Sequence, residues 1–259
     1  MLEPKIIAVA NQKGGVGKTT TAVNLAAGLA AKGKQVLIID LDSQGNASTG
    51  LGLGARERER NSFDLLLGEA KAADIIQKTT VSGLSIIAST SDLTSADADL
   101  ANHKSRTHLL KTALRGLDGF DYILLDCPPA LGLITLNAMI AADSVLVPLQ
   151  AEFYALEGLS QLLRSIRQVR DGANPRLRIE GVLLTMVDAR NRLAQQVEAD
   201  ARETLQGLVY DTVIPRNVRI SEAPSFGMPV LDYDAASKGA QAYLDLTDEF
   251  LANQLETAA

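Results

Sequence analysis

The residues best suited to chemistry lie near the N-terminus, in the segment Lys13-Gly14-Gly15-Val16-Gly17-Lys18-Thr19-Thr20. It follows an apolar run and opens a helical pattern, which is the setting that a phosphate-binding P-loop requires. Its glycines let backbone N–H groups turn towards a phosphate, and the helix N-terminus adds partial positive charge. Lys18 is expected to reach the β- and γ-phosphates of a nucleotide, and the Thr19 hydroxyl is expected to bind Mg²⁺.

The loop departs from the usual P-loop pattern, G-x-x-x-x-G-K-[ST], at its first position. That pattern requires a glycine at position 12, where this chain has Gln12, followed by an additional lysine, Lys13. Because strand, glycines, lysine, threonine and helix still coincide, the segment predicts a variant P-loop rather than a chance glycine-rich turn.

Carboxylates follow two of the apolar runs. The run at residues 36–40 ends in Asp40 and is followed by Asp42, and the run at residues 122–126 ends in Asp126. The carboxyl ends of parallel strands are where α/β sheets bind their ligands. One aspartate there can hold Mg²⁺ through water and another can orient an attacking water, although each alone is also typical of a helix cap or a loop carboxylate.

The elements that must position these groups alternate along the chain, short apolar runs with amphipathic stretches. Strands are predicted at residues 6–10, 36–40, 84–88, 122–126, 144–149, 181–185 and 209–214. Helices are predicted at residues 19–32, 105–117, 133–142, 156–170, 193–205 and 239–253. The alternation predicts an α/β fold with a doubly wound, mostly parallel sheet flanked by helices, and the length fits a single domain over residues 1–259.

Composition narrows the class of protein. Of the 259 residues, 46% are hydrophobic and 22% are charged, which provides enough apolar material for a core. The single cysteine, Cys127, excludes an intramolecular disulfide framework and is expected to be a buried thiol. No apolar run approaches the roughly 20 residues that span a bilayer, so a cytoplasmic protein is expected. The mixed-charge run at residues 56–60 is expected to be a solvated loop or helical turn.

Three further segments extend the pattern beyond the loop. They are Asp-Leu-Asp-Ser-Gln-Gly-Asn at residues 40–46, Asp-Cys-Pro-Pro at residues 126–129, and the segment at residues 214–227, which begins Ile-Pro-Arg-Asn-Val-Arg. Together with the loop they resemble the chromosomal, Soj-like branch of the ParA partition ATPases. The resemblance covers roughly residues 5 to 250, and the last segment is the one most specific to that branch.

The resemblance implies a P-loop NTPase of the deviant Walker A type that uses ATP and Mg²⁺ and forms an ATP-sandwich homodimer. Lys13 would then cross to the phosphates of the partner subunit, and Gly14 would lie at the dimer face. Asp42 would position the hydrolytic water, and Asp126 would be the Walker B acid that serves the metal. Lys18 completes the candidate catalytic set with Lys13 and Asp42.

The resemblance also implies where the base of the nucleotide would bind, because Pro215 and Asn217 match the positions that flank the adenine. Two residues depart from the family pattern. Ser43 replaces the more usual proline after the second aspartate, and Ala130 stands where serine is common. Neither departure removes a catalytic group.

DNA binding must be reconciled with an acidic chain of net charge −6. Residues 164–192 contain seven arginines and three acidic residues, a local charge of +4, and three of the arginines recur at helical spacing. Composition alone fits a solvated basic face equally well. The resemblance implies that Arg190, Arg219 and, less closely, Lys238 contact double-stranded DNA without reading its sequence, in a nucleoid-associated protein that a ParB-like activator stimulates.

Two other classes of protein share the loop. A MinD-like membrane-associated ATPase ends in a basic amphipathic helix, whereas no basic residue follows Lys238 here and the tail is acidic, so no membrane partner is expected. A P-loop ligase of small molecules remains an alternative. An ATPase assay with and without DNA separates it from a partition ATPase.

Overall fold

A computed structural model describes residues 3–152, 155–188 and 190–258. Its sheet has the spatial order β3-β4-β2-β5-β1-β6-β7, and every neighbouring pair is parallel except β3 and β4. The strands are β1 (Lys5–Val9), β2 (Val36–Asp40), β3 (Gln77–Lys78), β4 (Leu84–Ile87), β5 (Tyr122–Asp126), β6 (Ser144–Gln150) and β7 (Arg178–Thr185). The predicted doubly wound α/β fold is therefore confirmed.

Helices connect the strands and cover both faces of the sheet. The α-helices of the described residues are α1 (Lys18–Ala31), α2 (Asn46–Gly50), α3 (Ser62–Leu67), α4 (Ala72–Ile75), α5 (Ala96–Asp99), α6 (Leu109–Ala113), α7 (Leu133–Ala141), α8 (Ala155–Asp171), α9 (Arg192–Leu205), α10 (Val218–Glu222), α11 (Val230–Tyr233) and α12 (Lys238–Ala258). Short 3₁₀ segments lie at Ala55–Glu57, Ser91–Ser95 and Ala223–Phe226.

Successive strand residues point to opposite faces, and this divides the core in two. In β1, Ile7 and Val9 pack in one apolar cluster and Ala8 packs in the other. The first cluster is covered by α1 and α12, and the second by α3 and α6 to α9. Because both faces are covered, the strands are apolar throughout, which explains why they were recognisable as continuous runs.

The prediction of a strand at residues 209–214 is wrong. The segment follows β7 but forms only isolated bridges, not a ladder. The carboxylate of Glu249, on α12, accepts hydrogen bonds from the amides of Asp211 and Thr212 at 2.7 and 2.8 Å. These two amides are thereby taken by a side chain rather than by the sheet, and the ladder is interrupted.

The predicted helix at residues 105–117 is reduced to the single turn of α6. Its first amide, that of Leu109, donates to Asn137 Oδ1 at 2.9 Å, while Asn137 Nδ2 donates to the carbonyl of Arg106 at 2.7 Å. A side chain of α7 therefore sets where α6 begins. Strand β3 was missed because two residues are too few to show an alternating pattern.

The helix that follows the P-loop is fixed by close packing against α12. A methyl group at Gly28, in the middle of α1, would overlap the Thr247 hydroxyl and lie 3.1 Å from Thr247 Cβ. That hydroxyl donates to the carbonyl of Tyr243 at 2.7 Å, and this hydrogen bond holds the Thr247 side chain in its rotamer. Glycine at position 28 thus sets the distance between α1 and α12.

Gly28→Ala is expected to lower the free energy of unfolding by about 1–3 kcal/mol, the usual range for overpacking. In an exposed helix the same change would raise it by about 1 kcal/mol, so the sign is diagnostic. Urea denaturation measures the effect. Adding Thr247→Ala, which removes the overlapping hydroxyl, should recover part of the loss; a Gly28→Ala variant as stable as the parent would contradict this packing.

Candidate functional site

The loop between β1 and α1 leaves its backbone amides open. Gly15 and Gly17 have left-handed φ angles of 75° and 85°, which favour glycine. A Cβ at Gly14 or Gly15 would have no atom of the chain within 4 Å. Asn11 holds the base of the loop, since its Nδ2 donates to the Pro148 carbonyl at 2.7 Å and its Oδ1 accepts from the Lys13 amide at 3.0 Å. The loop therefore forms an open cradle at the N-terminus of α1.

Lys18, the first residue of α1, lies beneath this cradle and is only 6% exposed. Its Nζ donates to the Lys13 carbonyl at 3.2 Å. Burial lowers the pKa of Lys18, and the nearby charges of Asp126 and Asp42 partly oppose that shift. The ammonium is thus turned under the loop and surrounded by acidic groups.

Asp40 and Asp126 end neighbouring strands and are directly paired in the register of β2 and β5. Asp40 is fully buried, and its carboxylate accepts hydrogen bonds from the Ser48 amide at 2.9 Å, the Ser48 hydroxyl at 2.7 Å and the Asp42 amide at 3.2 Å. Asp40 is therefore committed to holding the loop that joins β2 to α2. The sequence did not distinguish this structural role from that of Asp42.

Asp126 is equally buried but has neither carboxylate oxygen in a hydrogen bond of acceptable geometry within the described residues. Burial, and then the charge of Asp40, raise its pKa well above the usual range, and the nearby Thr19 hydroxyl and Lys18 act in the opposite direction. Buried acceptors without donors are rare and need an explanation. A hard cation that prefers oxygen ligands would supply one, so Asp126 and Thr19 suit Mg²⁺.

Asp42 lies two residues after Asp40 in the sequence and is 9% exposed. Its Oδ1 accepts from the Gln44 amide at 3.0 Å, and its carbonyl accepts from the Ser89 hydroxyl at 2.6 Å. Its charge acts on the pKa values of both Lys18 and Asp126, so the three side chains lie within electrostatic range of one another. Lys18, Asp42 and Asp126, predicted from separate segments, are thus brought together.

A cavity of about 250 Å³ opens beside the cradle, and both residues predicted to flank a base line it. Asn217 Oδ1 also caps α10 by accepting the Arg219 amide at 2.9 Å. Sequence reasoning missed two further contributors. Thr185 Oγ1 donates to the Val16 carbonyl at 2.9 Å, and Met186 adopts a left-handed φ of 53° that is strained for a side chain of its kind. The residues that line the cavity include Gly17, Thr20, Thr185, Met186, Pro215, Asn217 and Tyr243.

Lys13 points away from Lys18 and towards solvent. Its Nζ forms an ion pair with Glu152 Oε2 at 2.5 Å, and the two side chains are 43% and 49% exposed. Glu152 carries no motif and was not predicted, because the pair joins residues 139 positions apart. Cys127 is buried as expected, and burial raises the pKa of its thiol.

The basic residues lie on segments that follow the carboxyl end of β7 and the cavity. Arg190 is exposed and forms a two-point ion pair with Asp188, which lowers the pKa of that carboxyl to about 2. Arg219 pairs with Glu222 at 2.9 Å and with Asp234 at 3.2 Å. These arginines stand on adjacent segments, since an isolated bridge joins residues 187 and 215.

Lys238 is exposed at the start of α12. The next residue, Gly239, lies so close to Ile220 of α10 that a methyl group there would come within 2.8 Å of Ile220 Cδ1. Arg190, Arg219 and Lys238 thus converge from three segments. The three arginines at helical spacing do not join them: they lie on the solvent face of α8, which covers the opposite face of the sheet (Arg164, Arg167 and Arg170).

Comparison with known proteins shows which family this chain resembles. A family model described as an AAA domain matches residues 4–179. The chain is 52% identical over 258 residues to the chromosome partitioning protein ParA of Caulobacter vibrioides strain NA1000, covering 98% of this chain and 97% of that one. It is 53% identical over 250 residues to the sporulation initiation inhibitor protein Soj of Bacillus subtilis, covering 96% and 99%.

Solved structures show the same fold with nucleotide bound. Cobyrinic acid a,c-diamide synthase from Mycobacterium smegmatis with ADP and magnesium superposes with a TM-score of 0.83 at 37% identity, over 95% of this chain and 93% of that chain. The same protein with an ATP analogue and magnesium gives 0.82. In the described part of the present chain, no helix combines the length and apolarity needed to cross a membrane.

Lys18→Ala is expected to abolish tight binding of ATP, because it removes the buried ammonium group beneath the cradle. Lys13→Ala is the matched control, since it removes an exposed lysine of the same loop and should leave ATP binding to the monomer intact. Titration with a fluorescent ATP analogue measures both. Equal affinity in Lys18→Ala and the parent protein would refute the assignment of the cradle.

Proposed function

The chain belongs to the ParA/Soj family of chromosome-partitioning proteins, and from that premise we propose that it is an Mg²⁺-dependent partition ATPase. In this proposal it forms an ATP-dependent homodimer, binds double-stranded DNA without sequence preference, and hydrolyses ATP when a ParB-like protein stimulates it. The observation that carries the proposal is the convergence of a buried Lys18, Asp42 and Asp126 beneath an open P-loop.

ATP is proposed to bind with its phosphates in the cradle formed by residues 13–20. Amides made available by Gly14, Gly15 and Gly17 would donate to phosphate oxygens, and Lys18 would contribute a point charge. Mg²⁺, held by Thr19 and Asp126, would neutralise charge on the phosphates when bound. The base would enter the cavity beside Pro215 and Asn217.

Asp42 is proposed to position the water that attacks the terminal phosphate. A carboxylate accepts hydrogen bonds only, so it can hold a water with its oxygen lone pair directed at phosphorus. The backbone bonds around Asp42 keep it close to the phosphate cradle without using the side chain fully. Asp42 is thus suited to hydrolysis rather than to binding the nucleotide.

Lys13 is proposed to reach the phosphates of a second subunit in the dimer. The ion pair with Glu152 that holds it in one chain is exposed on both sides, and such pairs contribute only about 0–1 kcal/mol. Exchanging Glu152 for phosphate oxygens is therefore inexpensive in free energy. Gly14 supports the same picture, because the space around it is open to a neighbouring molecule.

Asp42→Ala is expected to retain Mg-ATP and accumulate as a dimer, because the cradle is intact and only water positioning is lost. Gly14→Val is expected to bind ATP yet remain monomeric: a Cβ at this position has no atom of another described residue within 4 Å, apart from its chain neighbours, so we expect the effect at the subunit contact. Sedimentation with ATP measures both variants. A monomeric Asp42→Ala or a dimeric Gly14→Val would contradict the sandwich dimer.

DNA is proposed to contact Arg190, Arg219 and Lys238. Each arginine is already paired with an acid, but these pairs are solvent-exposed and weak, so a phosphate can replace the carboxylate. One protomer offers few such contacts, while a dimer doubles them on one surface. DNA binding should therefore depend on ATP, and we propose a nucleoid-associated location in the cytoplasm.

Arg219→Ala is expected to weaken binding to all DNA sequences alike and to flatten the slope of log affinity against log salt by about one to two, since each dimer loses two contacts. Arg167→Ala, on the solvent face of α8, is the control and should not change the slope. DNA affinity across a salt series with ATP measures both. Unchanged binding in Arg219→Ala and Arg190→Ala, or a preference for one sequence, would overturn this placement.

The two alternative functions, a MinD-like membrane-associated ATPase and a P-loop ligase, require different features of the chain. A MinD-like membrane helix must be free to insert into a bilayer. In α12, the side chains of Tyr243, Leu246 and Phe250 are only 0–1% exposed and pack in the core. A ligase is favoured by the similarity to cobyrinic acid a,c-diamide synthase of Mycobacterium smegmatis, but the partition proteins are more similar in sequence. ATP turnover that rises with DNA and a ParB-like protein supports partition; turnover that depends on a small-molecule acceptor supports a ligase.

Residues 1–259 are proposed to act as a single P-loop ATPase domain. One continuous sheet and two apolar clusters unite elements from both ends of the chain, as shown by the packing of α12 on α1.

A further inference from the structure

The charged run at residues 56–60 was expected to be solvated, but its central arginine turns inward. The Arg58 guanidinium donates to the Leu53 carbonyl at 2.6 Å, to Thr49 Oγ1 at 2.9 Å, and to the carbonyls of Gly45 and Ser89, each at 3.4 Å. Its side chain is half-buried. One side chain therefore joins the loop after β2, helix α2 and the end of β4.

Two of the four acceptors, the carbonyls of Gly45 and Ser89, belong to residues that also bond to Asp42. The Gly45 amide donates to the Asp42 carbonyl at 2.9 Å, and the Ser89 hydroxyl donates to the same carbonyl at 2.6 Å. The Asp42 side chain accepts a hydrogen bond from the amide of Gln44, the residue that precedes Gly45. Arg58 thus bonds to the two residues that hold the Asp42 carbonyl, although none of its hydrogen bonds in the described part of the chain reaches Asp42 itself.

The geometry requires arginine at this position. A guanidinium carries five N–H donors in a planar fork and can serve four acceptors in different directions, whereas a lysine presents three donors at one point. Gly45 is matched to it: its φ is +62°, and a Cβ there would overlap Arg58 Nη1. The neighbours Arg56 and Arg60 are exposed, and in the described part of the chain these four acceptors are bonded by Arg58 instead.

We propose that Arg58 is a positioning residue for ATP hydrolysis, which holds the loop of Asp42 so that its carboxylate stays aligned with the phosphate cradle. The proposal rests on the proposed function, because Asp42 must position the water. The cradle itself is built on β1 and α1, with which Arg58 forms no hydrogen bond among those described. Loss of Arg58 should therefore impair turnover and spare ATP binding.

The test compares Arg58→Ala, Arg58→Lys and the control Arg56→Ala. Arg58→Ala is expected to lower kcat about 10- to 100-fold, as displacement of a catalytic group by an ångström does, with the dissociation constant for ATP unchanged. Arg58→Lys is expected to fall between it and the parent protein, and Arg56→Ala to match the parent. Guanidinium at concentrations far below those that denature should partly restore Arg58→Ala but not Asp42→Ala.

The outcomes separate this proposal from the function beneath it. Parental turnover in Arg58→Ala, or parental turnover in Arg58→Lys, would overturn the positioning role while leaving the ATPase intact. A loss of ATP affinity equal to the loss of kcat, with no rescue by guanidinium and a lower thermal midpoint, would assign Arg58 to stability alone and also overturn it. A parent protein that hydrolyses no ATP with DNA and a ParB-like protein would instead refute the proposed function.

Discussion

The burial of carboxyl groups at the carboxyl ends of β2 and β5 is the constraint on which the rest of this structure depends. Asp40 and Asp126 are adjacent in the sheet, Asp42 is nearby, and Lys18 supplies a buried positive charge among them. Such groups are costly to bury unless they are paired or bonded. The chain meets this cost for Asp40 with three donors and leaves Asp126 without any of acceptable geometry in the described residues. A buried carboxylate that lacks donors is suited to bind a ligand that carries a cation, such as Mg-ATP.

The same edge of the sheet connects nucleotide binding to the surface proposed for DNA. Asn217 lines the base cavity with its neighbour Pro215 and also caps the helix that carries Arg219. Thr185, at the end of β7, bonds to the P-loop, and the chain then continues through the strained Met186 to Arg190. Both basic segments therefore begin at residues that line the cavity proposed for the base. Along the chain, Arg219 is two residues from Asn217 and Arg190 is four residues from Met186.

Sequence reasoning succeeded where the determinants are local. The P-loop was predictable because glycines, lysine and threonine lie within eight residues between a strand and a helix. That Asp42 and Asp126 lie at the same edge of the sheet was predictable, because the strand ends of a parallel sheet meet there. Contacts between distant residues were not: Glu152 reaches Lys13, Glu249 interrupts the strand expected at residues 209–214, and Arg58 leaves its charged run to hold a loop. Each depends on which elements the fold brings together, and no spacing along the chain encodes that.

Thermal unfolding of the parent protein and Asp126→Asn, with and without Mg-ATP, tests most directly whether the buried charge of Asp126 is held for a cation. Burial raises the folded pKa above the value of about 3.9 in the unfolded chain, so without ligand this charge destabilises the fold increasingly as pH rises from about 4. The account predicts that, without ligand at neutral pH, Asp126→Asn unfolds at or above the temperature of the parent, with the difference shrinking towards pH 4. With Mg-ATP, the parent should gain more stability than the variant. An Asp126→Asn protein that is less stable without ligand and gains as much from Mg-ATP as the parent would contradict the account.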